Sequence, residues 1–172
     1  MIGKSVDNLI RDLLHVVSDL SAHHSDLAVL MRDKLDAMRR ADSDAIQRIG
    51  LKEGALLERI TEREGLRRQL TRHVAEAVGV GEDITTLRLT TLAESLSEPR
   101  RSQLLAASTG LKQKLGEVEQ LRVTTTLVTQ HLLSHMGEVL NVMRGDHGVA
   151  QLYSASGRRQ EPSAANVFEA VG

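Results

Sequence analysis

From Leu9 onward the chain repeats one spacing. Leu13, Val17, Leu20, His24, Leu27, Met31, Leu35 and Met38 follow at steps of four and three, with His24 the polar member of the run. A strand would need alternation by two. Steps of three and four draw a single stripe along a helix, and sustained over this length the stripe is the seam of a coiled coil or helical hairpin. The helix is about 34 residues, roughly 50 Å long. Ser5 or Asp7 is placed to cap its start, and Arg39 and Arg40 suit its C-terminal dipole. His24 reads as a polar residue that sets the register of the seam.

"RRADSDAI" breaks this helix and offers Asp42, Ser43 and Asp44 as a new N-cap. So short a connection favours an antiparallel return. Ile46, Ile49, Leu56, Leu57, Ile60, Leu66, Leu70, Val74 and Val78 carry the second stripe, which ends at "VGVGED", where Gly79 and Gly81 supply left-handed C-cap geometry. Gly54 and Gly65 lie inside this helix and either permit close packing or soften it. Asp83 opens a shorter helix through Leu87, Leu89, Leu92 and Leu96, and "SEP" at Ser97 to Pro99 marks the next start. The last long helix carries Leu104, Leu111, Leu115, Val118, Leu121, Val128, Leu132, Met136, Val139 and Met143, with a β-branched and weaker middle, "RVTTTLVT".

The expected fold is therefore all-α: an elongated antiparallel helical hairpin or bundle of coiled-coil character, with helices over about 5–40, 43–79, 83–96 and 98–144. Residues 1–145 form the helical domain. After Gly145 the periodicity stops, and 146–172, rich in Gly, Ser, Ala and Pro, is expected to be a mobile tail until it binds something.

Charge and composition narrow the function. Lys and Arg total 22 against 23 Asp and Glu, a net charge of -1, so nothing draws the chain to a polyanion. The Arg pairs at 39–40, 67–68, 100–101 and 158–159 are interleaved with acids and lack aromatic neighbours for base stacking, so they read as solvated or ion-paired helix surface. Nucleic acid is not an expected partner. No apolar run approaches the roughly 18 residues of a membrane span, and the start "MIGKSVDNLIRDLL" lacks the apolar core of a secretory signal. With no cysteine there is no thiol chemistry, and the expected location is the cytoplasm.

Seven histidines raise the question of a metal. His131 and His135 stand at i, i+4, but the segment reads "HLLSH", with Leu132 where a zinc protease needs its Glu, and no Glu-x-x-His occurs for a di-iron bundle. No metal or other cofactor is expected; the pair offers at most an adventitious site. His23 and His73 lack the Lys and Gly that follow the phosphorylated histidine of a phosphotransfer bundle. No nucleophilic triad or phosphate loop is legible either. The residues describe a helical interaction protein and not an enzyme.

Where the protein would touch a partner is suggested by two features. Aromatics make up only 1%, one Tyr and one Phe, and both Tyr153 and Phe168 lie beyond the last helix, although ring side chains usually fill a core first. The last long helix also shows apolar residues on more than one face: Leu132 and Leu133, then Met136, Val139, Leu140, Val142 and Met143. Helix-in-groove recognition needs such uncovered apolar surface, and Met repacks readily around a partner. Leu132, Leu133, Met136, Val139, Leu140 and Met143 are the candidate binding residues.

Three stretches resemble the FlgN family, cytoplasmic export chaperones for the hook-filament junction proteins of the bacterial flagellum. They are the helix-break-helix run containing "LKEGALLERI", the last helix ending "HLLSHMGEVLNVMRG", and "LYSASGR", which is similar to the family's Leu-Tyr-x-x-x-Gly tail signature. The chain departs from many relatives in carrying Thr124, Thr125, Thr126 and Thr129 where they carry asparagines. The resemblance implies that the bundle and its C-terminal helix hold the C-terminal segment of a junction protein (FlgK/FlgL type), keep it unpolymerised and deliver it to the export gate. It also implies that Tyr153, with Leu152 beside it, contacts the cytoplasmic domain of that gate. The alternative is a coiled-coil adaptor acting by homo-oligomerisation, since uncapped apolar stripes suit both a monomeric bundle and a homo-oligomer.

Overall fold

A computed structural model describes residues 2–80 and 88–143, with side chains from residue 6. Four helices follow one another: α1 (Ile2–Arg39), α2 (Ser43–Val78), α3 (Leu89–Glu94) and α4 (Arg100–Met143). Among the described residues there is no strand. The chain divides into two compact units, one up to Val128 and one from Thr129.

In the first unit α1 and α2 form the hairpin. Its turn is tight because one residue does two tasks. The Asp42 N–H donates to the Ala37 carbonyl (3.0 Å) and the Ala41 N–H to Met38 (3.1 Å), closing α1 in a Schellman motif. Asp42 is also the N-cap of α2, its carboxylate accepting the Ala45 N–H at 2.9 Å. The cost falls on Ala41, held at φ 53. Gly79 ends α2 in the same way at φ 76, with the Val80 N–H donating to Ala75.

α1 begins at Ile2, so Ser5 and Asp7 lie within the helix and do not cap it; Asp7 pairs with Arg100 at the start of α4 instead. Gly54 and Gly65 face open space, since a Cβ at either would meet nothing within 4 Å, and neither serves close packing. Gly81, Asp83 and Leu87 lie outside the described residues.

The expected seam of α1 is buried from Leu13 through Leu35. His24 is buried within it, and its Nδ1–H donates to the Leu20 carbonyl at 2.7 Å, since a main-chain carbonyl only accepts. That bond stays inside α1 and fixes the ring without linking the helix to a neighbour. Ile10, Val16, Ala28 and Ala37 are buried as well, so α1 covers a broader face than one seam. The broad face has two neighbours. The backbone of α2 comes within 8 Å of that of α1, and α4 meets α1 through side chains alone.

Ion pairs give the directions. Lys34 binds Glu53 at 2.6 Å, and Asp19 lies 3.6 Å from Arg63, so α2 runs back along α1. Asp7 pairs with Arg100 and Arg32 with Glu117, so α4 runs parallel to α1.

One core cluster joins Ile10, Leu13, Val17 and Leu20 of α1 with Val74 and Ala75 of α2, Leu104 and Leu111 of α4, Leu89, Leu92 and Ala93 of the short α3, and Leu96 just past it. A second cluster holds Leu27, Met31 and Leu56, with Ile60, Val118 and Leu121 packed against it. Both are aliphatic throughout. Two residues expected on the inward stripe of α2, Leu57 and Leu66, are exposed instead, as is Leu115 of α4. Leu57 lies one position past the buried Leu56, and spacing alone does not say how wide the covered face is.

Candidate functional site

Only Leu104 and Leu111 of α4 are buried. Burial then declines along the first unit: Val118, Leu121, Thr125 and Val128 are half-buried, while Val123 and Leu127 are exposed. The Thr run keeps the helix by turning its hydroxyls inward, Thr124 donating to the Gln120 carbonyl (3.0 Å) and Thr126 to Arg122 (2.9 Å). Such back-bonding satisfies the hydroxyl but slightly weakens and bends a helix.

The described part of the second unit, Thr129 to Met143, is helical, and nearly every side chain is exposed. Leu133 is 64% exposed, Met136 60%, Leu140 49% and Met143 77%. Leu132, Val139 and Val142 are exposed too. All six residues expected to bind a partner thus lie on one stretch of helix, open to solvent. Scattered single leucines on a surface are ordinary, whereas these residues follow one another along a single helix.

The electrostatics reinforce the pattern. Between Arg122 and Glu138 the sequence contains no Lys, Arg, Asp or Glu. Arg122 itself is engaged, its Nε and Nη2 donating to the two Glu119 carboxylate oxygens at 2.7 and 2.6 Å. This fork holds the Glu119 carboxyl below the usual carboxylate range and the Arg122 guanidinium above its own. Glu117 is likewise pulled down, first by the Lys114 hydrogen bond and then by Arg32. Charge is paired along α4 from Lys114 to Arg122, and Glu138 is the one Lys, Arg, Asp or Glu among the described residues beyond.

His131 and His135 are exposed, and among the described residues no group of three His, Cys, Asp or Glu side chains comes together as a metal site. No helix among the described residues is long and apolar enough to cross a membrane. Leu152 and Tyr153, the expected gate-binding residues, lie outside the described residues, as do Phe168 and the Arg158–Arg159 pair. Val123 and Leu127 escaped the residue-by-residue reading. The missing charge between Arg122 and Glu138 was the signal that would have drawn them in.

The first unit is a helical hairpin joined by two further helices, and the described part of the second is a helix with exposed apolar side chains. A family model described as FlgN protein matches residues 1–161, and the chain belongs to the FlgN family of flagellar export chaperones. That family is one of chaperones. No curated protein and no solved structure matches the chain.

Proposed function

We propose that this protein is the cytoplasmic chaperone of hook-filament junction proteins (FlgK/FlgL type), binding their C-terminal segments on α4, preventing premature polymerisation and delivering them to the export gate. The observation that supports this reading best is the exposed run from Leu132 to Met143. A surface that apolar has a free-energy cost in water, and a client segment that covers it removes the cost. Leu132, Leu133, Met136, Val139, Leu140 and Met143 carry the contact in this reading, without metal or cofactor. Residues 1–145 act as the helical body and 146–172 as the tail that reaches the gate, with Tyr153 the anchor and Leu152 beside it. A tyrosine suits that task because it buries a large rigid area and keeps one hydroxyl for a directional bond.

The test is size-exclusion chromatography with light scattering on the protein mixed with a junction protein of the same bacterium, with and without that protein's C-terminal segment. A heterocomplex that disappears with the segment supports the reading. Self-assembly alone, with no heterocomplex at tens of micromolar, replaces it with the homo-oligomeric adaptor. Tyr153→Ala is expected to keep the client complex and lose binding to the cytoplasmic domain of the gate.

A further inference from the structure

The apolar surface of the second unit is wider than one partner helix can cover. At 100° per residue, the exposed apolar side chains from Val142 round to Leu133 span about 180° of the helix, and a single coiled-coil seam is much narrower. The residues also sort into two interleaved seams. Leu133, Met136, Leu140 and Met143 are spaced three, four and three apart. Leu132, His135, Val139 and Val142 repeat the same spacing one residue earlier. Each set is a run of a and d positions, and the offset of one residue turns the two about 100° apart. The eight side chains of these two seams are all exposed.

The seams differ in chemistry. The Leu133 seam is wholly apolar and half methionine. The Leu132 seam carries His135 within it and Glu138 on its flank, at the position where coiled coils place charges that select a partner. Glu138 is the one carboxylate among the described residues of this unit, and no Lys or Arg of the unit's described residues balances it.

We infer that one client segment folds onto α4 as two amphipathic helices, one on each seam, with a basic residue of the helix on the Leu132 seam facing Glu138. This rests on the chaperone reading and specifies its architecture: the client is held as a helical pair with α4 between its two members. Two helices account for the full apolar arc, whereas one helix leaves a seam of exposed leucines or methionines in the complex.

The experiment uses the full-length protein and the C-terminal segment of a junction protein as probe. Hydrogen exchange of the bound segment is expected to show two protected helical runs separated by a rapidly exchanging link. Leu132→Ser/Val139→Ser and Leu133→Ser/Leu140→Ser, each confirmed folded by an unchanged helical signal, are both expected to weaken binding at least tenfold. A single protected run, or one double variant within twofold of the unsubstituted protein while the other loses binding, overturns the two-helix arrangement and leaves the chaperone reading standing. If the unsubstituted protein forms no complex with the segment, both readings fall.

Discussion

Ala41 and Gly79 occupy the same place in the same motif, and only one of them is suited to it. Each follows the end of a long helix in left-handed geometry, at φ 53 and φ 76, with the next N–H reaching back across the turn. A Cβ in that region is crowded by the adjoining carbonyl at a cost of about 1–2 kcal/mol. Ala41→Gly removes that cost. Against the gain stands the extra freedom of glycine in the unfolded chain, about 0.5–1 kcal/mol. The difference predicts a protein more stable by about 0.5–1 kcal/mol, or about 2 °C in Tm for a chain of this size. The reciprocal change should cost a similar amount. A Cβ at Gly79 would meet no atom within 4 Å, so Gly79→Ala tests the backbone alone, without a clash. The sites lie at opposite ends of α2 and share no contact, so the double variant should fall within about 0.5 kcal/mol of the starting protein. Urea unfolding followed by far-ultraviolet circular dichroism measures all three. If Ala41→Gly destabilises the protein while Gly79→Ala leaves it unchanged, the account of the hairpin turn is wrong.

The division of labour along α4 predicts opposite behaviour from two leucines. Leu104→Ala, at a fully buried site, should cost about 2–5 kcal/mol, while Leu140→Asp, at an exposed one, should stay within about 0.5 kcal/mol in the same unfolding assay and abolish client binding in light scattering. A Leu140→Asp protein that still binds its client at full affinity removes α4 from the binding surface. Lys34 and Glu53, largely buried at 2.6 Å, tie α1 to α2, so Lys34→Ala should destabilise by about 1–3 kcal/mol by stranding the carboxylate, whereas Arg39→Ala, whose exposed pair with Asp36 lies within α1, should cost well under 1 kcal/mol. Glu64 is held below the usual carboxylate range by hydrogen bonds from Arg67, with Arg68 adding to them and partial burial opposing. A depressed folded value means that its contribution is complete above about pH 4.3 and is lost as pH falls through the lower folded value. Acid unfolding of Glu64→Gln should accordingly be flatter over that window than that of the unsubstituted protein.

Spacing in the sequence made the helices legible and left the neighbours of each helix undetermined. The run from Leu13 to Leu35 reads as a seam and is buried as one, because a seam needs only a single partner. Ile10, Val16, Ala28 and Ala37 escaped that reading because α1 touches both α2 and α4, and a count of threes and fours follows one face at a time. Leu57 and Leu66 failed in the opposite sense: a leucine beside the inward face of α2 counts toward the stripe although no helix lies over it. Asp42 and Gly79 were recognisable at once, since capping depends on a few adjacent residues. The left-handed Ala41 was not, because only the closure of the turn forces it there.

The same limit explains why the proposed binding surface was only half visible. Leucines, valines and methionines on several faces of α4 say that the helix has more apolar surface than one neighbour uses, but not where its own chain stops covering it. Within the first unit, the last α4 residues packed against a core cluster are Val118 and Leu121. Beyond Arg122 valine, leucine and methionine recur among uncharged polar residues, and charge is absent until Glu138. A helix that merely frayed into solvent would carry Lys and Glu at those positions, as the exposed faces of α1 and α2 do. Retaining leucine and methionine in water is disfavoured for a lone chain and favoured for one that spends its time holding a partner.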